Sequence, residues 1–160
     1  RARAGLRYGV IHVLDLTRTI DVPSNAQSTH LRTVSSEGGQ TASGDPDGRT
    51  CAEWCFRTHQ VLIDGAMMFQ HDLAPLGCAS NPVSNQAPGN WMPDRAGWCP
   101  GMEVPTRIDP FSSNVAGTAL NFEYELESWT NTGSSSAFYA ISTFLVVKSD
   151  TPISRPIVMD

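Results

Sequence analysis

A chain of 160 residues has room for one domain with a real core and none for a second full domain. Eleven Lys and Arg against sixteen Asp and Glu give a formal charge of −5, which argues against nucleic acid as a partner, because phosphates demand a basic surface. No run approaches the roughly 18 apolar residues needed to cross a bilayer, and no charged-then-apolar leader opens the sequence, so it reads as mature or as cut from something longer.

In chain order, strand signals fall at Val10 to Leu14, Thr17 to Val22, His30 to Ser35, His59 to Ile63, Ala66 to Leu73 and Val104 to Asp109. Asp64-Gly65 joins two of these runs and is the strongest short hairpin signal in the chain. The segment Leu120 to Glu127 alternates without a fault, Leu120, Phe122, Tyr124 and Leu126 one way, Asn121, Glu123, Glu125 and Glu127 the other. Ala137 to Val147 is apolar on both parities and is expected as a central strand buried on both faces. No segment repeats apolar residues at helical spacing between a cap and a glycine for more than two turns. Eight short strands and no helix predict an all-β fold, an antiparallel eight-stranded jelly-roll β-sandwich over residues 1–160.

Two segments read as loops. Ser36 to Thr50 is rich in Gly, Asp and Ser; its Asp45-Pro-Asp47-Gly resembles part of a calcium loop but lacks the further oxygen ligands, so a solvated turn is expected. Ala74 to Pro105 holds six of the eleven prolines and two of the four tryptophans. Loops of this length in a compact domain are usually functional.

Four cysteines allow three connectivities. Two local pairs suggest themselves, Cys51 with Cys55 and Cys78 with Cys99; four free or metal-bound thiols are the alternative. Persistent disulfides point to an oxidising compartment, secreted or periplasmic. A four-cysteine zinc site is disfavoured because Cys78 and Cys99 make no second knuckle. A bridge between Cys51 and Cys55 would close a tight ring and hold Glu53 and Trp54 in a bend, which suits a carboxylate that must be presented; a turn at a strand edge is the plainer reading. Arg95 is a candidate guanidinium partner, and Trp54, Trp91 and Trp98 are candidate platforms for the apolar faces of sugars.

The motifs Cys51-Ala-Glu-Trp-Cys-Phe-Arg-Thr-His59, Phe69-Gln-His71, Leu76-Gly-Cys78, Pro88-Gly-Asn-Trp91 and Pro93-Asp-Arg-Ala-Gly-Trp-Cys-Pro-Gly-Met102 resemble the second domain of the bacterial peptide-N-glycosidase F family, amidases that remove whole N-linked glycans from asparagine. Glu127-Ser-Trp-Thr-Asn131, Ala137 to Ser142 and Thr151-Pro-Ile-Ser154 continue the match, with weaker similarity back to Tyr8-Gly9. The resemblance implies two jelly-roll domains side by side with the active site in the cleft between them. It implies disulfides Cys51–Cys55 and Cys78–Cys99, and neither metal nor cofactor. It puts Glu53 and Arg95 in catalytic positions and Trp54 and Trp98 in substrate-binding ones. Partners would be N-glycosylated proteins or glycopeptides and an N-terminal jelly-roll domain, with no nucleic acid and no membrane.

Two departures stand out. The family's principal catalytic aspartate and a second glutamate lie in a first domain, and Arg1 falls at about the interdomain junction, so the isolated chain is expected to be inactive. Gly38 and Gln40 stand where relatives carry a Trp and a His, which bears on glycan preference. Two other classes are weighed beside this one. One is a non-catalytic carbohydrate-binding or adhesion module. The other is a copper monooxygenase domain, which the four histidines, His12, His30, His59 and His71, serve poorly because they contain no His-x-His. His59 and His71 are expected to face each other across the hairpin as a satisfied structural pair.

Overall fold

The computed structural model describes residues 2–7, 17–38, 57–74, 76–87, 92, 95–126, 138–155 and 157–159. Among the described residues there are nine strands: β1 (Ala2–Arg7), β2 (Arg18–Asp21), β3 (Ser28–Gly38), β4 (Thr58–Ile63), β5 (Ala66–Asp72), β6 (Thr106–Pro110), β7 (Ala119–Leu126), β8 (Phe138–Lys148) and β9 (Ile157–Met159). They form two antiparallel sheets, β1-β8-β3-β6 and β5-β4-β7-β2-β9, whose inner faces share one core. The sole helical turn among the described residues is the three-residue 3₁₀ segment Cys78–Ser80.

The alternation of β7 is realised as expected: Leu120, Phe122 and Tyr124 are buried, and Asn121 and Glu125 are exposed. Burying each of these large side chains contributes roughly 1.5–3 kcal/mol. The Asp64-Gly65 turn has both residues at positive φ, 53° and 79°, the two-residue geometry whose twist matches that of the flanking strands. Asp64 also ties the turn to β7, donating its backbone N–H to the Asn121 carbonyl at 2.8 Å and accepting the Asn121 N–H on Oδ1 at 2.9 Å. A bulge follows between Val61 and Leu62, where Met68 is the extra residue of β5. It restores the phase that turns Phe69, His71 and Leu73 inward and leaves Met67 and Met68 exposed.

Several expectations are corrected. β3 runs to Gly38, three residues into the expected loop, because its full length pairs with β8 down to Gly38↔Phe138. β8 is central, between β1 and β3, but it is not buried on both faces: Tyr139 and Ile141 face the core, whereas Ala140 is exposed and Phe144 is 37% exposed on the outer face. β1 and β9 were not expected; β9 is three residues long, too short for any periodicity to register. The expected strand Val10 to Leu14 lies outside the described residues.

Candidate functional site

The pairing brings the ends of six strands to one pole of the sandwich. Gly38 pairs with Phe138, Thr58 with Asp72, His59 with Leu126 and Val34 with Thr106. The Cys51-to-His59 motif enters β4 at this pole, the proline-rich loop runs from the end of β5 to the start of β6, and the Glu127-to-Asn131 motif follows β7. Four candidate residues, Cys51, Glu53, Trp54 and Cys55, lie outside the described residues, as do Gln40 and Trp91. The other four, Cys78, Arg95, Trp98 and Cys99, are described and sit together on the proline-rich loop.

That loop is held at three places. Cys78 and Cys99 are disulfide-bonded with their Cα atoms 5.6 Å apart, which is the local pairing expected. Closing a loop of sequence separation 21 contributes about 3 kcal/mol in the chain-entropy picture. Upstream of the staple, the Leu76 N–H donates to the Arg95 carbonyl at 3.1 Å and the Gly97 N–H to the Ala74 carbonyl at 2.8 Å, with Ala96 wholly buried between them. Downstream, the buried Asn81 side chain donates to the Pro100 carbonyl and accepts the Val83 N–H at 3.0 Å, clamping both limbs. Gly101 adopts φ +82°, and a Cβ there would stand 2.7 Å from Val83 Cγ1, so the turn after Cys99 admits only glycine.

This scaffold puts the Arg95 guanidinium over the Trp98 ring, Cζ 5.7 Å from the ring centroid, a cation–π contact. Arg95 is only 6% exposed and Trp98 is half-buried. Among the described residues no acceptor meets the buried Trp98 Nε1. The pair is therefore a preformed element, an arginine and an indole fixed against each other by a stapled loop.

Beneath the pole, a polar cluster sits between the sheets beside the buried Leu73, Ala96 and Ile141. Arg57, His59 and His71 are essentially inaccessible, as is Tyr139. His59 Nδ1 shares a hydrogen bond with the Tyr124 hydroxyl at 2.9 Å, and its ring stands edge-on to Tyr139 with centroids 4.5 Å apart. His71 Nε2 donates to Asp109 Oδ2 at 2.7 Å, joining β5 in one sheet to β6 in the other. Arg107 donates to the Asp72 carbonyl at 3.1 Å. Burial, then the neighbouring His71 and Arg107, push the His59 imidazole down to about 3. Burial also lowers His71, outweighing the opposing pull of Asp109. His59 and His71 do lie directly opposite one another, as expected. They are only half satisfied, since His59 Nε2 and His71 Nδ1 are buried with no hydrogen-bond partner.

Among the described residues no three His, Cys, Asp or Glu side chains are grouped to hold a metal ion. Asn81, Asp109 and Tyr124 were not singled out from sequence as parts of this region. Their partners lie up to 65 positions away, and no local pattern marks such contacts.

The family pattern described as "Peptide-N-glycosidase F, C terminal" matches residues 8–146. The chain belongs to the peptide-N-glycosidase F family. It is 52% identical over 155 residues to peptide-N(4)-(N-acetyl-β-D-glucosaminyl)asparagine amidase F of Elizabethkingia miricola, covering 96% of this chain and 44% of that protein. The crystal structure of a peptide-N(4)-(N-acetyl-β-D-glucosaminyl)asparagine amidase superposes with a TM-score of 0.90 at 52% identity, over 98% of this chain and 51% of that one. The structure of PNGase F, a glycosylasparaginase from Flavobacterium meningosepticum, gives 0.89 at 52% identity, over 98% and 50%. The chain thus spans about half the length of the relatives it matches.

Proposed function

We propose that the chain is the C-terminal, jelly-roll half of an N-glycan-releasing amidase of the secreted or periplasmic space, working with an N-terminal jelly-roll domain. The observation that carries this reading is the 52% identity over 96% of the chain to an asparagine amidase, across the residues that match a C-terminal family pattern. The Cys78–Cys99 disulfide supports an oxidising compartment.

The reaction hydrolyses the amide between an asparagine side chain and the first N-acetylglucosamine. Water adds to the amide carbon, the carbon–nitrogen bond breaks, the side chain leaves as aspartate, and the nitrogen departs with the sugar as a glycosylamine. An amide resists water, so the site must activate a nucleophile and stabilise charge on the carbonyl oxygen. An aspartate of the first domain activates the water. Glu53, presented by a Cys51–Cys55 ring, positions that water or the leaving nitrogen. Arg95 supplies fixed positive charge beside the reacting carbonyl, and Trp54 and Trp98 line the glycan path. The Arg95–Trp98 stack supports these assignments because it offers charge and a flat apolar surface together, with little freedom to lose on binding.

The test is to join or co-express the chain with a first domain from a relative and follow a glycopeptide by mass spectrometry for conversion of asparagine to aspartate. Turnover in the complex, none in the chain alone, and a loss of at least about 100-fold with Glu53→Gln are expected, the usual size of an acid–base contribution. Glycan binding by the chain with no turnover in any complex would make it a carbohydrate-binding module instead.

A further inference from the structure

The buried histidines have a consequence that does not depend on the amidase reading. Whichever nitrogen carries the proton in a neutral imidazole, the cation carries one on both. The His59 cation therefore carries a proton on Nε2 and the His71 cation one on Nδ1, and both atoms are buried without an acceptor. A buried donor with no partner forfeits its hydration outright. The two rings are also cross-strand neighbours, so two cations would face each other in the interior. The groups packed around them offer little relief. β7 contributes the Tyr124 phenol, already bonded to His59, and β8 the Tyr139 ring. β6 contributes Asp109, a single carboxylate already used by His71, and Arg107, which adds positive charge. Asp72, on β5 itself, is exposed. Arg57 precedes β4 and is wholly buried.

We propose that His59 and His71 form an acid-triggered release built into the sandwich: protonating the pair unclasps the end that carries Arg95 and Trp98 while the Asp64-Gly65 end stays closed. The geometry confines the effect to one end. Asp72 and Leu73 continue directly into Ala74 and Leu76, which hold Arg95 and Gly97 by backbone bonds, and the Leu73 N–H donates to the Arg57 carbonyl at 3.2 Å. The interior at the hairpin end is Ile20, Val22, Val61, Ile63 and Phe122, with nothing to protonate.

The sign follows from linkage. An imidazole lowered in the folded state binds its proton more readily once unfolded, so its contribution to stability is complete above about pH 6.5 and is lost as the pH falls below it. For His59, held to about 3, the unfolding constant rises about 25-fold between pH 7 and pH 5.

Two measurements test the release on the chain. Amide exchange, corrected for the intrinsic pH dependence, is expected at pH 5 to leave Leu73, Leu76 and Gly97 opening at least tenfold more often than global unfolding, while Val22 and Asp64 open no more often than global unfolding. Equal opening at both ends would overturn a local release. Denaturant unfolding of His59→Gln is expected to be flatter with pH than wild type by about 25-fold over the same interval. Should that variant not fold, proton NMR of the wild-type imidazoles decides: ring shifts constant from pH 8 to pH 5.5 support the proposal, and rings titrating freely near pH 6.5 while the fold persists overturn it.

Discussion

The two ends of the sandwich are built from the same strands but filled differently. Toward the Asp64-Gly65 turn the inner positions of β4 are Val61 and Ile63, packed with Ile20, Leu120 and Phe122. Toward the other end the inner positions of β4, β5 and β6 are His59, His71, Arg107 and Asp109. One β4 strand therefore passes from a polar interior to an apolar one within five residues, from His59 to Ile63. The apolar end needs only area and shape to be stable. The polar end needs every donor matched, and it is imperfectly matched. The loop bearing Arg95 and Trp98 stands on that second end; Ala96 joins it to the core, and covalent and backbone ties hold the rest. Sites are commonly supported by the less stable part of a fold, where specific geometry costs packing.

The sharpest way to break this contrast is a deletion at the apolar end. Ile63, 5% exposed, faces the shared core from β4 beside the Asp64-Gly65 turn. Ile63→Ala is expected to cost about 2–5 kcal/mol through lost transfer energy and a cavity. The loss should be the same at pH 7.5 and pH 5, measured by denaturant unfolding, because no titrating group is involved. A strongly pH-dependent loss would mean that the two ends are not separable.

Replacing both Cys78 and Cys99 by alanine removes the staple at the polar end. The expected cost is about 3 kcal/mol. Exchange at Leu76 and Gly97 should rise well beyond that at Val22 if the loop is held chiefly by the disulfide. Uniform acceleration would show instead that the Asn81 clamp and the two backbone bonds suffice locally.

A third test sits between the sheets. Asp109→Asn keeps the shape but removes the charge opposite His71, and the charge-assisted bond it weakens is worth about 1.5–3 kcal/mol. His71 should then be held further below its ordinary value, because the one carboxylate that raises it through a hydrogen bond is gone. Stability below pH 6.5 should consequently fall more steeply than in wild type, read from denaturation midpoints against pH.

How much of this was legible in the sequence follows from range. The β7 alternation, the Asp-Gly turn and the Cys78–Cys99 pairing rest on neighbours in the chain or on a motif, and all are present as expected. The outer face of β8 could not be read, because Phe144 and Ile141 are equally apolar and only the position of the second sheet decides which is covered. The His59–His71 opposition was visible from the hairpin, but not that each ring would bond elsewhere, to Tyr124 and to Asp109. Arg95 and Trp98 stood out as types; their stacking depends on a turn locked by Gly101 and Asn81, which local pattern does not announce.

The smallest effect is also the most discriminating. Tyr124→Phe removes only the hydroxyl bonded to His59 Nδ1, leaving the ring in place. Losing a buried bond of this kind costs about 1–2 kcal/mol, because the imidazole nitrogen is then stranded. His59 remains and still resists protonation, since burial is the largest cause of its lowered value and the phenylalanine keeps that burial. The curve of stability against pH should therefore shift down nearly in parallel, whereas His59→Gln changes its slope. Parallel displacement in one variant and a flattened slope in the other would separate the role of the hydrogen bond from the role of the titrating group. If Tyr124→Phe flattened the slope as well, the hydroxyl and not the buried ring would set the response to acid.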